Sequence, residues 1–431
     1  MTKGLKKILM GVLVFTFVFA LAACGGNEAS NEAEEPAATT EEPTDETNTP
    51  AEEPAKVEYA QGVTDDSVKI GTIGVMSGAL SFIGTPYFAG MEAYLAELNA
   101  AGGVNGRTIE LIKEDDEFKA DKAVAAMEKL IYDEEVFAVI GQLGTPGVMA
   151  TQTIVQDEGI PSVYFGSGAH QLTEAGENFF PVQPSYYYEG KVIGQFTQDE
   201  FNADKVVVIY RNDDVGRDGL KGIEEALASL GKADVLPEDG KLAVNAGDAD
   251  FTVPIQKAKS LDPDVVILYG LAGEVSGLLK EIEKVSFDVP TITTYSNADA
   301  SFLAVAAPGA PNMITNLHVM GWLEVNDEKL KPLTDAMAKH FPDAPLNSYT
   351  MAGWVAAETF VAGLKAAGDN LSWDGYIDAM NTLSFTEGLA PEIAYSEGVR
   401  LGVTKMALSK VVKDDAGNYT FEQMTDFSEF K

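Results

Sequence analysis

Residues 137–165 read FAVIGQLGTPGVMATQTIVQDEGIPSVYF. The apolar run Phe137 to Ile140 predicts a strand, Pro146 to Asp157 a helix, and Ser162 to Phe165 a second strand, with Gly141 to Gly147 turning between the first two. Strand, helix and strand in such short succession is the α/β signature of a parallel sheet. Outward from it the alternation continues. Further strands are expected at Val68 to Ile73, Thr108 to Ile112, Lys205 to Tyr210, Val265 to Tyr269, Thr291 to Tyr295 and Met313 to Gly321. Helices are expected at Tyr87 to Asn99, around Ala123 to Ile131, and at Gly190 to Glu200, Asp218 to Leu230, Val275 to Val285, Glu328 to Phe341, Tyr349 to Ala367 and Trp373 to Leu383. In an open parallel sheet, ligands sit beyond the carboxyl ends of the strands. The loops at those ends are Ser77 to Gly84, Gly141 to Gly147, Gly166 to His170, Asn212 to Gly216, Gly270 to Glu274 and Tyr295 to Asp299.

The amino terminus has a different character. Lys3, Lys6 and Lys7 precede an uncharged run from Ile8 to Ala23, the pattern of a secretory signal over 1–23. At about sixteen residues the run falls short of the ~20 that a spanning helix needs. Leu21-Ala22-Ala23-Cys24 resembles the lipobox of bacterial lipoproteins, which implies lipidation at Cys24. Cys24 is also the single cysteine, so no intrachain disulfide forms. Residues 24–60 hold eleven acidic residues against Lys56, together with Pro36, Pro43, Pro50 and Pro54, and read as an extended, disordered tether. An uncleaved anchor and an interaction tail are the alternative readings of these two segments.

About 370 residues follow, enough for two lobes rather than one core. The formal net charge is −37, and the body beyond the tether carries about −30 of it. That field repels nucleic acid and anionic headgroups and excludes them as partners.

Catalytic and cofactor patterns are missing. Gly71, Gly74 and Gly78 do not have dinucleotide-fingerprint spacing, and no Walker loop is present. Ser167 lies between Gly166 and Gly168, whereas a nucleophile elbow has glycines two positions away, where Phe165 and Ala169 stand. His170, His318 and His340 are too scattered for a metal pair, and Asp115-Asp116 with Glu114 and Glu117 read as a strand exit and solvated turn. No enzyme, metal or cofactor is expected.

Several stretches together resemble the extracytoplasmic solute-binding proteins of the leucine/isoleucine/valine type that feed ABC importers. They are Ile70-Gly71-Thr72-Ile73-Gly74-Val75-Met76-Ser77-Gly78, Asn99-Ala100-Ala101-Gly102-Gly103-Val104-Asn105-Gly106, Val139-Ile140-Gly141-Gln142-Leu143-Gly144-Thr145, Gly159-Ile160-Pro161, and Val208-Ile209-Tyr210 on to Gly216. The resemblance implies two Rossmann-like lobes of parallel sheet and flanking helices, joined by three crossover segments, with the ligand in the cleft between them. Lobe 1 would comprise 61–184 plus 321–386, and lobe 2 would comprise 185–320 plus 387–431.

Residue by residue, Thr145 falls where the family has a serine that binds the ligand carboxylate, with Gly144 beside it. Gly166, Ser167 and Gly168 fall where backbone and hydroxyl groups bind the same head. The family's acidic partner for a ligand ammonium falls near Tyr295, where no carboxylate stands; Asp299 is close in sequence, and Asp299 or Glu274 is the next candidate. Tyr186, Tyr295 and Tyr349 offer apolar faces with polar tips for a flat or hydrophobic ligand, Phe82 is a further aromatic candidate, and Trp354 reads as core. The expectation is a monomeric, non-enzymatic binding protein, lipid-anchored through Cys24 outside the bacterial membrane. It would deliver a hydrophobic or aromatic carboxylate to an ABC permease by hinge closure. Branched-chain amino acid uptake, and a sensing role beside a membrane receptor, are the competing readings.

Overall fold

The computed structural model describes residues 59–78, 80–323 and 327–431. The signal, Cys24 and nearly all of the tether lie outside them. From the first strand onward, β1 (Ser67–Gly74), α1 (Ser81–Ala100), β2 (Thr108–Asp115), α2 (Ala120–Glu128), β3 (Ala138–Leu143), α3 (Thr145–Glu158), β4 (Ser162–Gly166) and β5 (Phe179–Phe180) build one half. Its strands are parallel, in the order β2-β1-β3-β4-β5. Then come α4 (Tyr186–Asp199), β6 (Val206–Arg211), α5 (Asp214–Ser229), β7 (Lys241–Val244), α6 (Thr252–Leu261), β8 (Val265–Tyr269), α7 (Ala272–Lys284), β9 (Thr291–Thr293), α8 (Ala300–Ala306) and β10 (Leu317–Gly321). The chain returns through α9 (Asp327–His340), α10 (Ser348–Ala367), α11 (Trp373–Met380), β11 (Ser384–Phe385) and β12 (Ile393–Ala394), and ends in β13 (Ala407–Lys413) and β14 (Tyr419–Gln423). The second sheet runs β14-β13-β10-β9-β8-β6-β7, parallel from β7 to β10 and antiparallel beyond. The result is an α/β protein of two lobes.

The central strands of each sheet are buried on both faces, which is why they carry continuous apolar runs. Val206, Val207, Val208 and Ile209 of β6 are fully buried, as are Val265 to Tyr269 of β8. Burying one such side chain stabilises by roughly 1.5–3 kcal/mol, so these strands anchor their sheet. One apolar cluster runs from Ile70, Phe137 and Phe360 through Tyr186, Tyr295 and Trp322 to Val208 and Ile267, joining the lobes. Two others cover the outer faces, one under α2 and α3 and one under α6 to α8.

Helices on the shared face approach closely because glycines stand at their crossings. A Cβ at Gly190 of α4 would lie 2.2 Å from the carbonyl oxygen of Gly219 on α5, and one at Gly353 of α10 would lie 1.7 Å from that of Tyr87 on α1. Overpacking there costs typically 1–3 kcal/mol, so a single added methyl would prise the helices apart. Ser185 caps α4 by accepting from Tyr188 N, and Asn347 with Thr350 forms a capping box on α10.

The structure departs from expectation at several points. Met313–Asn316 is a 3₁₀ turn, and the strand begins at Leu317. The strand expected over Thr291 to Tyr295 ends at Thr293, with Tyr295 in a 3₁₀ turn, and α1, α4 and α5 begin at Ser81, Tyr186 and Asp214 rather than at Tyr87, Gly190 and Asp218. β5, β7, α6, α8, β11, β12 and the β13–β14 hairpin were not expected. The third passage between the lobes also comes later than residue 386: Leu389 N donates to Glu358 of α10 (2.8 Å), Tyr395 Oη to Pro181 O (2.7 Å) and Val403 N to Val182 O (2.7 Å). These bonds keep 387–403 with the first lobe and the crossover, and β13 follows directly.

Candidate functional site

At the carboxyl end of β3 the chain turns at Gly144, whose φ of 115° is open to glycine alone, and enters α3 at Thr145. The Gly144 N–H donates to Gly166 O (3.1 Å), which draws the β3 and β4 exits together. That contact brings Ser167 to Thr145. Ser167 Oγ donates to Thr145 Oγ1 at 3.0 Å, and Thr145 Oγ1 lies 3.3 Å from the Tyr186 hydroxyl. Three hydroxyls thus meet at the amino end of a helix, where N–H groups and the macrodipole favour an anion. Thr145 is 8% exposed, Ser167 1% and Tyr186 4%. Burial raises the Tyr186 phenol, so it remains a donor at neutral pH.

Behind the hydroxyls lies an aromatic floor. The Tyr186 and Tyr295 rings stack 6.1 Å apart at 22°. A Cβ on Gly168 would fall 2.6 Å from Tyr295 Oη and 2.7 Å from Tyr186 Cδ1, so only glycine admits both rings. Tyr295 Oη donates to Pro184 O at 2.9 Å. The Gln183 amide, oriented to satisfy its neighbours, donates through Nε2 to the Tyr164 hydroxyl (3.2 Å) and accepts through Oε1 from Ser167 N (3.2 Å) and Gly168 N (3.3 Å). Tyr164 holds φ at +45° inside β4, a strained conformation for a bulky side chain, and contacts Trp322 with ring centroids 6.3 Å apart.

The lobes meet around this floor. Asp218 Oδ2 of α5 accepts from His170 N at 2.7 Å. Asp299 Oδ2 accepts from Ser348 N (2.9 Å) and Ser348 Oγ (2.7 Å), while its Oδ1 accepts from Ser301 N (2.7 Å). Glu274 faces Arg211 Nη1 at 3.4 and 3.5 Å, and Asp213 pairs with Arg211 Nε at 2.5 Å. Asp213, Asp218, Glu274 and Asp299 therefore each already have a partner.

Seven of the nine expected ligand contacts, namely Gly144, Thr145, Gly166, Ser167, Gly168, Tyr186 and Tyr295, come together here. Phe82 stands in the first turn of α1, 41% exposed, and Tyr349 opens α10 beside Asp299. The amides of Ser167 and Gly168 face Gln183. Of the tyrosine triplet only Tyr186 joins the site: the Tyr187 ring lies 4.4 Å from that of His170, and the Tyr188 hydroxyl accepts from Phe430 N. Ser167 and His170 are not paired, because the Ser167 proton goes to Thr145 and His170 Nδ1 lies beside Thr173 Oγ1. Trp354 is core, edge-on to Tyr94 and donating to Glu358. Asp116 proves buried rather than solvated; it accepts from Phe118 N, and burial pushes its carboxyl up to about 6. Among the described residues no group of three or more His, Cys, Asp or Glu is arranged to hold a metal ion.

Sequence reasoning passed over Gln183, Tyr164, Glu189 and Tyr269. Glu189, one turn into α4, is fully buried and accepts from Tyr269 Oη (2.5 Å), Thr294 Oγ1 (2.7 Å) and Tyr295 N (2.6 Å). A first-turn acid in a helix ordinarily faces solvent, and nothing in its local sequence marks this one as buried.

Two α/β lobes that enclose a small polar and aromatic site define a two-lobed solute-binding protein. A family model described as periplasmic binding protein matches residues 67–417, and the chain belongs to that family, whose members bind solutes outside the cytoplasm. Among curated relatives, the amino acid binding protein of Pseudomonas aeruginosa is 26% identical over 306 residues, covering 70% of this chain and 79% of that protein. The Leu/Ile/Val-binding protein of Escherichia coli is 23% identical over 316 residues, covering 73% and 83%. Among solved structures, a fatty acid ABC transporter substrate-binding protein from Thermomonospora curvata superposes with a TM-score of 0.75 at 22% identity, covering 87% of this chain and 96% of its own. A branched-chain amino acid ABC transporter protein from Thermus thermophilus with bound valine superposes with a TM-score of 0.72 at 16% identity, covering 85% and 97%. These likenesses to solved structures establish the fold.

Proposed function

We propose that this protein captures a small hydrophobic or aromatic carboxylate outside the cell and presents it to an ABC permease by closure of the two lobes, tethered to the membrane through lipid on Cys24. The observation that carries the reading is the junction of the Thr145, Ser167 and Tyr186 hydroxyls with the stacked Tyr186 and Tyr295 rings. Hydroxyl donors at a helix amino terminus suit a carboxylate, and the rings suit an apolar body. An α-amino acid also brings an ammonium, which is costly to bury without a countercharge. Asp299 is committed to Ser348 and Ser301, and Asp218 to His170.

Branched-chain amino acid binding is the second reading, favoured by the names of the curated relatives. A thermal-shift panel of short fatty acids, aromatic acids and amino acids separates the two. A ligand at 100 times its Kd adds about 2.7 kcal/mol to the folded state, well above detection. Stabilisation by fatty or aromatic acids and not by leucine, isoleucine or valine supports the first reading. The reverse pattern replaces it with the second and points to Glu274, whose contacts with Arg211 are long, as the ammonium partner.

A further inference from the structure

Beneath the aromatic floor, Glu189 joins three separate elements. Its Oε1 takes the Tyr295 N–H, and its Oε2 takes the hydroxyls of Thr294, which precedes the same turn, and of Tyr269, at the end of β8. The Tyr269 hydroxyl has a second neighbour, the carbonyl oxygen of Tyr186 at 3.0 Å. Both rings of the floor are therefore held through one carboxyl, Tyr295 by its backbone and Tyr186 by way of Tyr269. We propose that Glu189 is a positioning residue for solute binding, and that one proton on its carboxyl decides whether the Tyr269 hydroxyl donates to Glu189 or to the carbonyl of Tyr186, the first residue of α4.

The hydrogen count follows from the geometry. A phenol has one proton to give. With Glu189 ionised, Tyr269 gives that proton to Oε2 and the Tyr186 carbonyl loses it. When the carboxyl takes a proton from solvent, Oε2–H donates to the Tyr269 oxygen, and the Tyr269 proton turns to Tyr186 O. Thr294 and Tyr295 N donate in both states. In each state every proton of the cluster has an acceptor, so the site has two arrangements.

Among the described residues no cation acts on the carboxyl. Its own helix presents Tyr186, β8 presents Tyr269, and the turn after β9 presents Tyr295, all phenols held protonated by burial. From α5, which packs on α4, Asp213 acts on Tyr186, while Asp218 is bonded to His170 N and Glu225 is paired with Lys191. Burial outweighs the three donors and pushes the Glu189 carboxyl up to about 7. Above that pH a negative charge lies under the floor. An anionic solute then binds more weakly, and its binding is accompanied by proton uptake at neutral pH. This consequence rests on the proposed carboxylate solute, whereas the positioning role does not.

The test uses the mature chain with no solute, then with octanoate. In the wild type, the Tyr295 amide resonance titrates with a single midpoint near pH 7, and it does not titrate in Glu189→Gln. In Thr294→Val, which removes one donor to the charged form, the midpoint moves upward; this variant serves if Glu189→Gln fails to fold. A Tyr295 amide that is flat from pH 5.5 to 8.5, or a midpoint unmoved by Thr294→Val, overturns the proposal. By calorimetry, octanoate affinity falls about fivefold from pH 6 to pH 8 in the wild type and less than twofold in Glu189→Gln. Equal pH dependence in both proteins overturns the link to binding. If octanoate binds neither protein at either pH, the fatty acid reading fails, and the amide titration alone decides the role of Glu189.

Discussion

Glu358 offers a stability test in which the variant and the wild type exchange order. It lies on α10, 5% exposed, and accepts from Trp354 Nε1 (3.1 Å) and Leu389 N (2.8 Å), so it pins the returning strand segment to the helix. Burial pushes its carboxyl from 4.5 up to about 7, against those two donors and the charge of Lys329. At about 1.4 kcal/mol per pKa unit the shift amounts to about 3 kcal/mol. The folded state holds the proton more tightly than the unfolded chain does. The contribution is therefore fully present below the unfolded value of 4.5 and is lost as pH rises through about 7. In Glu358→Gln nothing titrates. The amide oxygen keeps the Leu389 bond, but its nitrogen confronts the Trp354 N–H, which costs roughly 1–3 kcal/mol. At pH 5.5 the variant should be the less stable protein. By pH 8.5 the difference should have moved by about 2–3 kcal/mol in the variant's favour, enough to bring it level with the wild type or above it. Urea unfolding followed by tryptophan fluorescence at the two pH values measures this. Asp116 and Glu189 titrate with the same sign in both proteins and cancel in the difference. A stability gap equal at both pH values would refute the reasoning.

Thr145→Val should weaken binding of the panel's strongest acid by about 10- to 150-fold, the equivalent of one charge-assisted bond of roughly 1.5–3 kcal/mol, as measured by calorimetry. Unchanged affinity removes Thr145 from the site. Gly190→Ala should lower the urea midpoint by the equivalent of about 1–3 kcal/mol, because its methyl meets the Gly219 carbonyl; an unchanged midpoint would mean that α4 and α5 separate freely. Cys24→Ser should release the protein from the membrane fraction of an expressing bacterium, and retention there would point to the uncleaved anchor instead.

Much of the architecture was legible, for a physical reason. β3, β4, β6 and β8 are covered on both faces along most of their length, so each carries a run of apolar residues that stands out against helical spacing. β7 is four residues with Lys241 in it and only Val244 buried, and β13 and β14 form an edge hairpin of alternating polar and apolar residues, so neither stands out. In the site, Thr145 and Ser167 were visible because they lie at strand ends and match the family's ligand-binding positions, and Tyr186 because a tyrosine near a cleft offers an apolar face with a polar tip; the helix that it begins was expected only from Gly190. Gln183 reads as linker and Tyr164 as strand core. Glu189 is buried only because Gly190 and Gly219 let two helices close over it, a fact about two distant segments that neither contains alone.

The seat of α10 on α1 also sets an order of assembly. A Cβ at Gly90 would meet the Thr350 carbonyl at 2.0 Å, so this face of the first lobe has no substitute partner. α1 ends at Ala100 and α10 begins at Ser348. At ~5–20 residues per second, the ribosome leaves about 250 residues and about 12–50 s between the two. Through that interval β1 to β5 have α2 and α3 on one side, and on the other α1 without the α10 that packs on it. The first lobe therefore completes its helical cover only after most of the second lobe has been made.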